Sequence, residues 1–218
     1  MKENKKKVTI IGAGFTGLSV AYYLLKKGYE VEIFESAPFV GGQASTINLS
    51  GFEIERGYHH LFTGDKYIIE LIEDLKIHNL LKWHESSVGI FDGKRLFSFQ
   101  SAIDLIKFNK IPFYDRIKLG LITLYLKYKK NWKSLESYTA SQWIKNKAGK
   151  NVYDHIWAPL LRGKFGDYYE EIGMPWFWGK IQTRFASRKR FNKEVLGYPD
   201  GSFKLIIDFL VTEIQADG

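Results

Sequence analysis

The stretch VTIIGAGFTGLSVAYYLL, residues 8–25, decides between a membrane-targeting segment and the start of an α/β domain. Its eighteen residues carry no formal charge and lie between KENKKK and KKG. A secretory signal would need a small-residue cleavage site after the apolar run, but KKGYEVEIFE follows. Gly12, Gly14 and Gly17 would each weaken a helix by about 1 kcal/mol. The stretch therefore predicts a folded α/β unit and neither a signal peptide nor a membrane span.

The pattern around this stretch is typical of a β–α–β unit. KVTII is an apolar, β-branched run that ends at Gly12, and it predicts a buried parallel strand. LSVAYYLLKK predicts a helix with Leu18 and Ala21 on its inner face, which ends at Gly28. YEVEIFE then predicts a second strand that ends at Glu35.

The loop between the first strand and the helix, GAGFTG at residues 12–17, has the G-x-G-x-x-G spacing of a dinucleotide-binding loop. Gly12 would permit the tight turn, Gly14 the approach of a pyrophosphate, and Gly17 the close packing of helix on strand. The pyrophosphate would lie at the positive end of the helix. Glu35 could accept hydrogen bonds from ribose hydroxyls. This unit predicts a bound adenine dinucleotide and does not by itself separate NAD from FAD.

The amino-acid composition indicates the kind of protein and limits its partners. The chain has 218 residues, 45% of them hydrophobic, and no cysteine, which fits a globular protein of a reducing, cytoplasmic compartment. The net charge of +8 is scattered, apart from KKNWK at 129–133 and RKR at 188–190, and no common nucleic-acid-binding motif is present. We therefore expect no nucleic-acid partner.

The residues after Glu35 carry a resemblance to a known family. SAPFVGGQAST, with adjacent Gly41 and Gly42, resembles the flavin-containing amine oxidase superfamily, which includes protoporphyrinogen oxidases and phytoene-desaturase-like enzymes. Gln43 stands where that family has an arginine, and Arg56 could supply the missing charge. GFEIERGYHHLF is similar to the segment that passes beneath the flavin in the family. WAPLLRGKFGDYYEEIGMPWFWGKIQTRFASR and GYPDGSFKLIIDFL are similar to its substrate-domain helices and return segment.

The resemblance implies FAD as the cofactor and a Rossmann-like α/β fold with an inserted, mainly helical substrate domain. The implied domains are residues 1–82 for the ADP moiety of FAD, 83–190 for the helical part and 191–218 for the return segment. Pyrophosphate, ribose, ribityl and ring contacts would come from Gly12, Ala13, Gly14, Phe15, Thr16, Gly17, Glu35, Ser36, Gly42, Gln43, Ala44, Arg56, Gly57, Tyr58 and His59.

The activity implied by the resemblance is that of an FAD-dependent oxidoreductase. Such an enzyme takes a hydride from a C–N or C–C bond of an organic, in some relatives lipophilic, substrate and passes electrons to oxygen or a quinone. Family members run to about twice this length, so the sequence resembles an N-terminal half. We therefore expect the chain alone to bind FAD weakly and to be catalytically inactive. No catalytic residue and no metal site is predicted within it.

The middle of the chain predicts helices around 101–108, 113–130, 139–148 and 150–161, a further helix from Pro175, and an Asp92-Gly93 hairpin. Asp65 is expected to cap a helix after it. The segment 115–130 is apolar around most of its circumference and basic at its end. It is expected to be a buried helix, the alternative being peripheral contact with a membrane. Trp157, Trp176, Phe177 and Trp178 are expected to pack in the core, or else to line a pocket.

Two other functions stay open at this point. A non-redox, flavin-dependent sugar-nucleotide mutase shares the opening motif and would need cations for a diphosphate, for which Arg162, Lys164, Arg184 and Arg188 are candidates. A non-catalytic module that contacts protein or membrane is the other alternative. The adjacent His59 and His60 are not expected to share a metal, because neighbouring strand residues point to opposite faces. The resemblance implies that one of them approaches the flavin or substrate while the other packs.

Overall fold

The computed structural model describes residues 6–186 and 194–217. The chain divides into two compact units, one made of residues 1–84 and 196–218 and the other of residues 85–195. The second unit is therefore an insertion between two parts of the first.

The first unit begins with the predicted β–α–β arrangement, which is confirmed. Strand β1 (Lys7–Ile11) pairs in parallel with β2 (Glu30–Phe34), and helix α1 (Phe15–Lys26) connects them. Strands β3 (Thr46–Leu49) and β4 (Phe52–Glu55) form an antiparallel hairpin. Strand β9 (Val195–Pro199) lies between β5 (Leu61–Phe62) and β6 (Leu81–Glu85) in a three-stranded sheet. Helices α2 (Lys66–Asp74) and α9 (Lys204–Asp217) complete the unit.

The core of the first unit lies where α9 packs against α1. Leu18 and Tyr22 of α1 are buried with Ile206 and Leu210 of α9, and both α9 residues are fully excluded from solvent. Helix α9 thus covers the apolar face of α1, although the whole inserted unit separates the two helices in the sequence.

The expectation that β1 is a buried strand is wrong. Residues in β1 and β2 alternate between half-buried and exposed, and Ile11 is 82% and Phe34 53% exposed. The reason is that, in the described part of the chain, the sheet has two strands with α1 packed against it, and the alternating burial shows that only one of its faces is covered. An apolar run is typical of a strand that is covered on both faces, but here only one face of the strand is covered.

Asp65 lies at the N-terminal boundary of α2, as predicted, but it does not cap the helix. Its Oδ2 atom accepts a hydrogen bond of 2.8 Å from the backbone N–H of Phe62, in the segment that leads into the helix. The Asp65 side chain therefore stabilises the turn before α2 and does not accept a hydrogen bond from the first turn of the helix.

The second unit is mainly helical, as predicted. Its elements are the hairpin β7 (Gly89–Phe91) and β8 (Leu96–Ser98), then α3 (Ala102–Lys107), α4 (Phe113–Tyr128), α5 (Ala140–Lys147), α6 (Lys150–Val152), α7 (Ala158–Phe165) and α8 (Met174–Ala186). A single wide π-turn, Tyr153–Trp157, joins α6 to α7. Ser101 and Thr139 cap α3 and α5 through reciprocal side-chain and backbone hydrogen bonds.

The tryptophan-rich segment packs in this unit's core, as expected. The rings of Trp157 and Phe177 meet edge to face at 4.6 Å, and those of Phe165 and Trp176 at 4.8 Å. Trp178 Nε1 donates a hydrogen bond of 2.9 Å to the carbonyl of Lys129. The aromatic cluster therefore ties α8 to α7 and to the end of α4.

The expectation that α4 is a buried helix is wrong on one side of it. Leu119 and Leu126 are buried, but Leu121 is 64% and Tyr128 72% exposed. The helix has apolar residues on both faces, and the unit covers only one of them.

Candidate functional site

The glycine loop is shaped by one close backbone contact. Gly12 has a φ of 97°, and its N–H donates to the carbonyl of Phe34 at 2.7 Å. A Cβ atom on Gly17 would lie 2.0 Å from the carbonyl oxygen of Gly12, far inside contact distance. Helix α1 can therefore begin this close to β1 only with glycine at position 17, as the motif predicts.

The N-terminus of α1 is left without a side-chain partner in the part of the chain that the structure describes. Gly14 occupies the N-cap position, no side chain accepts from the first turn, and that turn contains no acid. The amides of Phe15, Thr16 and Gly17 belong to this turn. They add to the positive end of the helix dipole, and the arrangement suits an anionic group.

Glu35 joins the loop to the end of β2. Its Oε2 atom accepts a hydrogen bond of 2.7 Å from Ala13 N–H, and its Oε1 atom accepts one of 2.8 Å from Ala37 N–H. The hydrogen bonds from Ala37 and Ala13 lower the pKa of Glu35 below its ordinary value. Ser36, predicted as a site residue, also places its hydroxyl 3.4 Å from this carboxylate. Glu35 is thus an ionised acceptor held beside the glycine loop.

The paired glycines form a second loop against the first. Gly41 and Gly42 have φ values of 96° and 57°, and Gly41 N–H donates to the Ala13 carbonyl at 2.7 Å. A Cβ on Gly42 would lie 3.3 Å from the Cα of Gly14. Because two backbones meet here, this loop also depends on glycine.

The two loops border a cleft of about 410 Å³ in the first unit, a volume within the range of small-molecule sites. Five of the residues predicted from sequence line it: Gly14, Phe15, Gln43, Ala44 and His59. The lining also includes Gly41, His60, Leu61, Asp65, Ile68 and Phe203, which the sequence did not assign to the site. Of these, Gly41 and His60 had a local signal, since Gly41 precedes Gly42 and His60 is one of the two histidines of which one was expected to approach the flavin or substrate. The structure places both His59 and His60 in the lining. Phe203 comes from the return segment and has no signal in the sequence around the loop.

His59 gives the cleft an unsatisfied polar atom. Its Nδ1 is buried and has no hydrogen-bond partner among the residues that the structure describes, and its ring centre lies 5.4 Å from that of Phe203. A buried ring nitrogen without a partner is costly, and a bound ligand could supply the missing partner. Together with the glycine-dependent loops and the uncapped helix, this atom shows that the residues present fit a dinucleotide.

Several predicted site residues lie beside the cleft and not in its lining. The guanidinium of Arg56 stacks 4.2 Å from the centre of the Phe39 ring, so the structure does not bring the proposed replacement cation into the cleft. Gly57 N–H donates to the Gln43 carbonyl at 3.2 Å and so supports the cleft wall. Tyr58 is 74% exposed and stacks on His60 with ring centres 6.2 Å apart.

A carboxylate at the end of β4 holds the return segment against the cleft. Glu55 Oε1 accepts hydrogen bonds from the Tyr198 hydroxyl at 2.6 Å and from Phe203 N–H at 2.9 Å. Burial alone would raise the pKa of Glu55, but these two hydrogen bonds and the nearby His59 bring it below its ordinary value. Burial and the same carboxylate raise the pKa of Tyr198. Phe203 is thereby fixed where it lines the cleft.

Other candidate sites in the described residues find less support. No group of three His, Asp or Glu side chains there could hold a metal ion. Two of the cations considered for a diphosphate already have partners within the protein. Arg162 donates a hydrogen bond of 3.0 Å to the Tyr169 hydroxyl, and Arg184 lies 3.5 Å from the carboxylate of Glu194. Arg188 lies outside the described residues.

The β–α–β unit and its two glycine loops are those of a Rossmann-like α/β fold, and comparison with known proteins identifies the family. Residues 15–185 match the model of the family described as flavin containing amine oxidoreductase. The match covers well over half of the chain. The protein therefore belongs to this family, whose cofactor is a flavin.

Individual relatives agree with this family. Coproporphyrinogen III oxidase of Bacillus subtilis is 25% identical over 189 residues, which are 80% of this chain and 40% of that protein. Zeta-carotene desaturase of Zea mays is 28% identical over 180 residues, or 72% of this chain and 31% of that protein.

Solved structures share the fold. An oxidoreductase from Methanosarcina mazei has a TM-score of 0.67 and 25% identity over 97% of this chain and 50% of its own. A UDP-galactopyranose mutase has a TM-score of 0.66 and 16% identity over 96% of this chain and 46% of its own, which shows the fold alone. The chain thus spans half or less of the length of each of these proteins.

Proposed function

We propose that this chain is the cofactor-binding part of an FAD-dependent oxidoreductase. The observation that carries the proposal is the uncapped N-terminus of α1, which opens beside the cleft between the two glycine loops. An adenine dinucleotide needs backbone donors, a cavity and a nearby acid, and these three features occur together here.

Each predicted residue then has a separate role. The amides of residues 13–17 would hold the pyrophosphate, because the helix dipole and the glycine backbone both favour an anion there. Glu35 would accept a ribose hydroxyl through the lone pairs that Ala13 and Ala37 leave available. Residues 42–44 would contact the adjoining phosphate and ribityl chain. Residues 57–59 would lie near the ring, with His59 Nδ1 as a donor or acceptor to it.

The redox chemistry belongs to the bound flavin, which would accept a hydride from a C–N or C–C bond of an organic substrate. The chain's own residues would orient the cofactor and exclude water from it. The apolar lining from Leu61, Ile68 and Phe203 suits that second task. The relative named for a carotene supports a lipophilic substrate. Oxygen or a quinone would take up the electrons.

Competition between ligands tests the cofactor assignment. The chain, and a longer form of the protein, would be titrated with FAD while flavin fluorescence is followed, and then with ADP as competitor. We expect ADP to displace FAD and riboflavin to bind poorly, because the glycine loops recognise the ADP half. If neither form binds FAD, or if ADP fails to compete, the proposal is wrong. Anaerobic reduction of the longer form by amines, porphyrinogens or polyenes would then give the substrate class.

A further inference from the structure

The cleft between the two glycine loops borders a helix N-terminus that suits an anion, but its lining holds no side chain with a permanent positive charge. In the part of the chain that the structure describes, no lysine and no arginine lines it. Gln43 contributes a neutral amide, and the ionisable side chains of the lining are those of His59, His60 and Asp65. Any positive charge that a lining side chain adds to the cleft must therefore come from an imidazole ring.

The cations on the segments that border the cleft have partners elsewhere. The ammonium group of Lys66, at the start of α2, lies 3.4 Å from the carboxylate of Glu70. That of Lys204, at the start of α9, donates a hydrogen bond of 2.7 Å to Asp208. The guanidinium of Arg56 stacks on an aromatic ring outside the lining. These three side chains are therefore engaged away from the place where an anion would bind.

Aromatic contacts hold both imidazole rings at the lining. The ring of His59 packs against that of Phe203, and its Nδ1 atom is buried without a hydrogen-bond partner among the described residues. The ring of His60 meets that of Phe62 edge to face, with ring centres 5.0 Å apart, and stacks on Tyr58. Both histidines are half-buried. Each ring thus has a defined position in the wall of the cleft.

The titratable groups that face these rings are two acids and a phenol. Burial raises the pKa of Glu55, but its hydrogen bonds and, to a smaller extent, its charge interaction with His59 bring that pKa below its ordinary value. The hydroxyl of Tyr198 donates to the same carboxylate. Asp65 lines the cleft and accepts the amide of Phe62. None of these groups would repel a protonated imidazole.

The cleft is small enough for either ring to act on a bound anion. Its volume of about 410 Å³, taken as a cube, corresponds to an edge of about 7 Å, which is shorter than the screening length of about 8 Å at physiological ionic strength. Gly14 and Phe15, at the start of α1, line the same cleft. A proton gained by His59 or His60 therefore adds an attraction that solvent ions screen only in part.

We propose that protonation of His59 and His60 sets how tightly the cleft holds the pyrophosphate of its dinucleotide. Histidine is the side chain that ordinarily changes charge between pH 5 and pH 8. Acidification across this range adds positive charge to the lining, so the affinity rises as the pH falls and declines as the rings lose their protons. The inference rests on the proposed function and gives the same site a pH-dependent affinity.

Calorimetric titration with FAD at about pH 8 and about pH 5.5 tests the proposal on this chain and on a longer form. FAD is the suitable ligand because its pyrophosphate is esterified at both ends and keeps its charge over this range, whereas a terminal phosphate titrates within it. We expect the affinity to rise by about tenfold or more at the lower pH. His59→Gln/His60→Gln should remove this rise. The matched control His78→Gln, at an exposed position outside the lining, should retain it.

A permanent charge gives the complementary test. His60→Lys carries a positive charge at both pH values, so it should raise the FAD affinity at about pH 8 and reduce the difference between the two conditions. Salt at about 1 M should weaken the pH effect in the wild-type chain, because the screening length falls to about 3 Å. Circular dichroism melts at both pH values would verify that each variant is folded.

Proton uptake is a second readout. Because protonation and anion binding must favour each other by the same factor, FAD binding near neutral pH should take up protons from the buffer. Titrations in two buffers with different enthalpies of ionisation measure this uptake directly. It should be lost in His59→Gln/His60→Gln and kept in His78→Gln.

The outcomes separate this inference from the proposed function. Equal FAD affinity at both pH values would show that the inference is wrong, while the cofactor assignment would stand. A pH effect that persists in His59→Gln/His60→Gln, or that disappears in His78→Gln as well, would assign it to other groups and also overturn the inference. If neither form of the protein binds FAD at any pH, the proposed function fails and this inference fails with it.

Discussion

The hydroxyl of Tyr198 donates a hydrogen bond of 2.6 Å to Oε1 of Glu55, and this contact joins positions 143 residues apart. The same oxygen accepts the amide of Phe203, which lines the cleft. The carboxylate therefore connects the hairpin beside the glycine loops to the segment that returns from the inserted unit. Its loss should affect both stability and the site.

Replacing Glu55 tests this connection. Glu55→Ala should lower the free energy of unfolding by about 2 kcal/mol, because the Tyr198 hydroxyl and the Phe203 amide lose a charged acceptor. A double-mutant cycle of Glu55→Ala with Tyr198→Phe, measured by urea unfolding, should give a coupling energy of about 1 kcal/mol. The control Glu53→Gln, in the same strand but exposed, should cost less than about 0.5 kcal/mol. Strictly additive single variants would contradict the connection.

A second prediction concerns acid stability and Glu35. Its folded-state pKa lies below the ordinary 4.5 because the amides of Ala37 and Ala13 bond the ionised carboxylate. Its contribution to stability is therefore fully present above the ordinary pKa and is lost as the pH falls through the folded-state pKa. We expect Glu35→Gln to flatten the fall in melting temperature between pH 5 and pH 3 (roughly the span of carboxylate titration). Glu73→Gln, at an exposed position of α2, should leave the slope unchanged.

Features of the fold and of the cleft could be predicted from the sequence where the residues that determine them lie close together along the chain. The loop from Gly12 to Gly17 and its flanking elements could be predicted because strand, turn and helix signals lie within 30 residues. The contribution of Phe203 to the cleft could not, because it rests on tertiary contacts with Glu55. The exposure of α4 was also missed, since an apolar residue indicates burial only when another element is present to cover it.

Two glycines in the loop should respond differently to the same substitution. Gly17→Ala places a methyl group 2.0 Å from the Gly12 carbonyl oxygen, so we expect a loss of about 3 kcal/mol in unfolding free energy. Gly14→Ala meets no atom within 4 Å and has an ordinary φ of −71°, so the chain should fold with a loss of about 1 kcal/mol or less. It should nevertheless weaken FAD binding by about tenfold, since the methyl group would project where the pyrophosphate approaches.

Chemical denaturation and FAD titration of both variants separate the two effects. Normal FAD affinity in Gly14→Ala would remove Gly14 from the pyrophosphate site. Wild-type stability in Gly17→Ala would mean that α1 can shift away from β1, which the packing of Leu18 and Tyr22 against α9 argues against.

The last prediction compares FAD with ADP on the 218-residue chain. The side chains at the ends of β1 and β2 are open to solvent, with Ile11 82% and Phe34 53% exposed. The glycine loops, by contrast, have their backbone contacts in place. We expect FAD and ADP to bind this chain with affinities within about tenfold of each other, because the contacts proposed for residues 57–59 would add little binding energy to that of the ADP half. Isothermal titration with both ligands, on this chain and on a longer form, measures the difference. FAD binding to this chain more than about a hundredfold tighter than ADP binding would show instead that its residues already build most of the flavin-ring site.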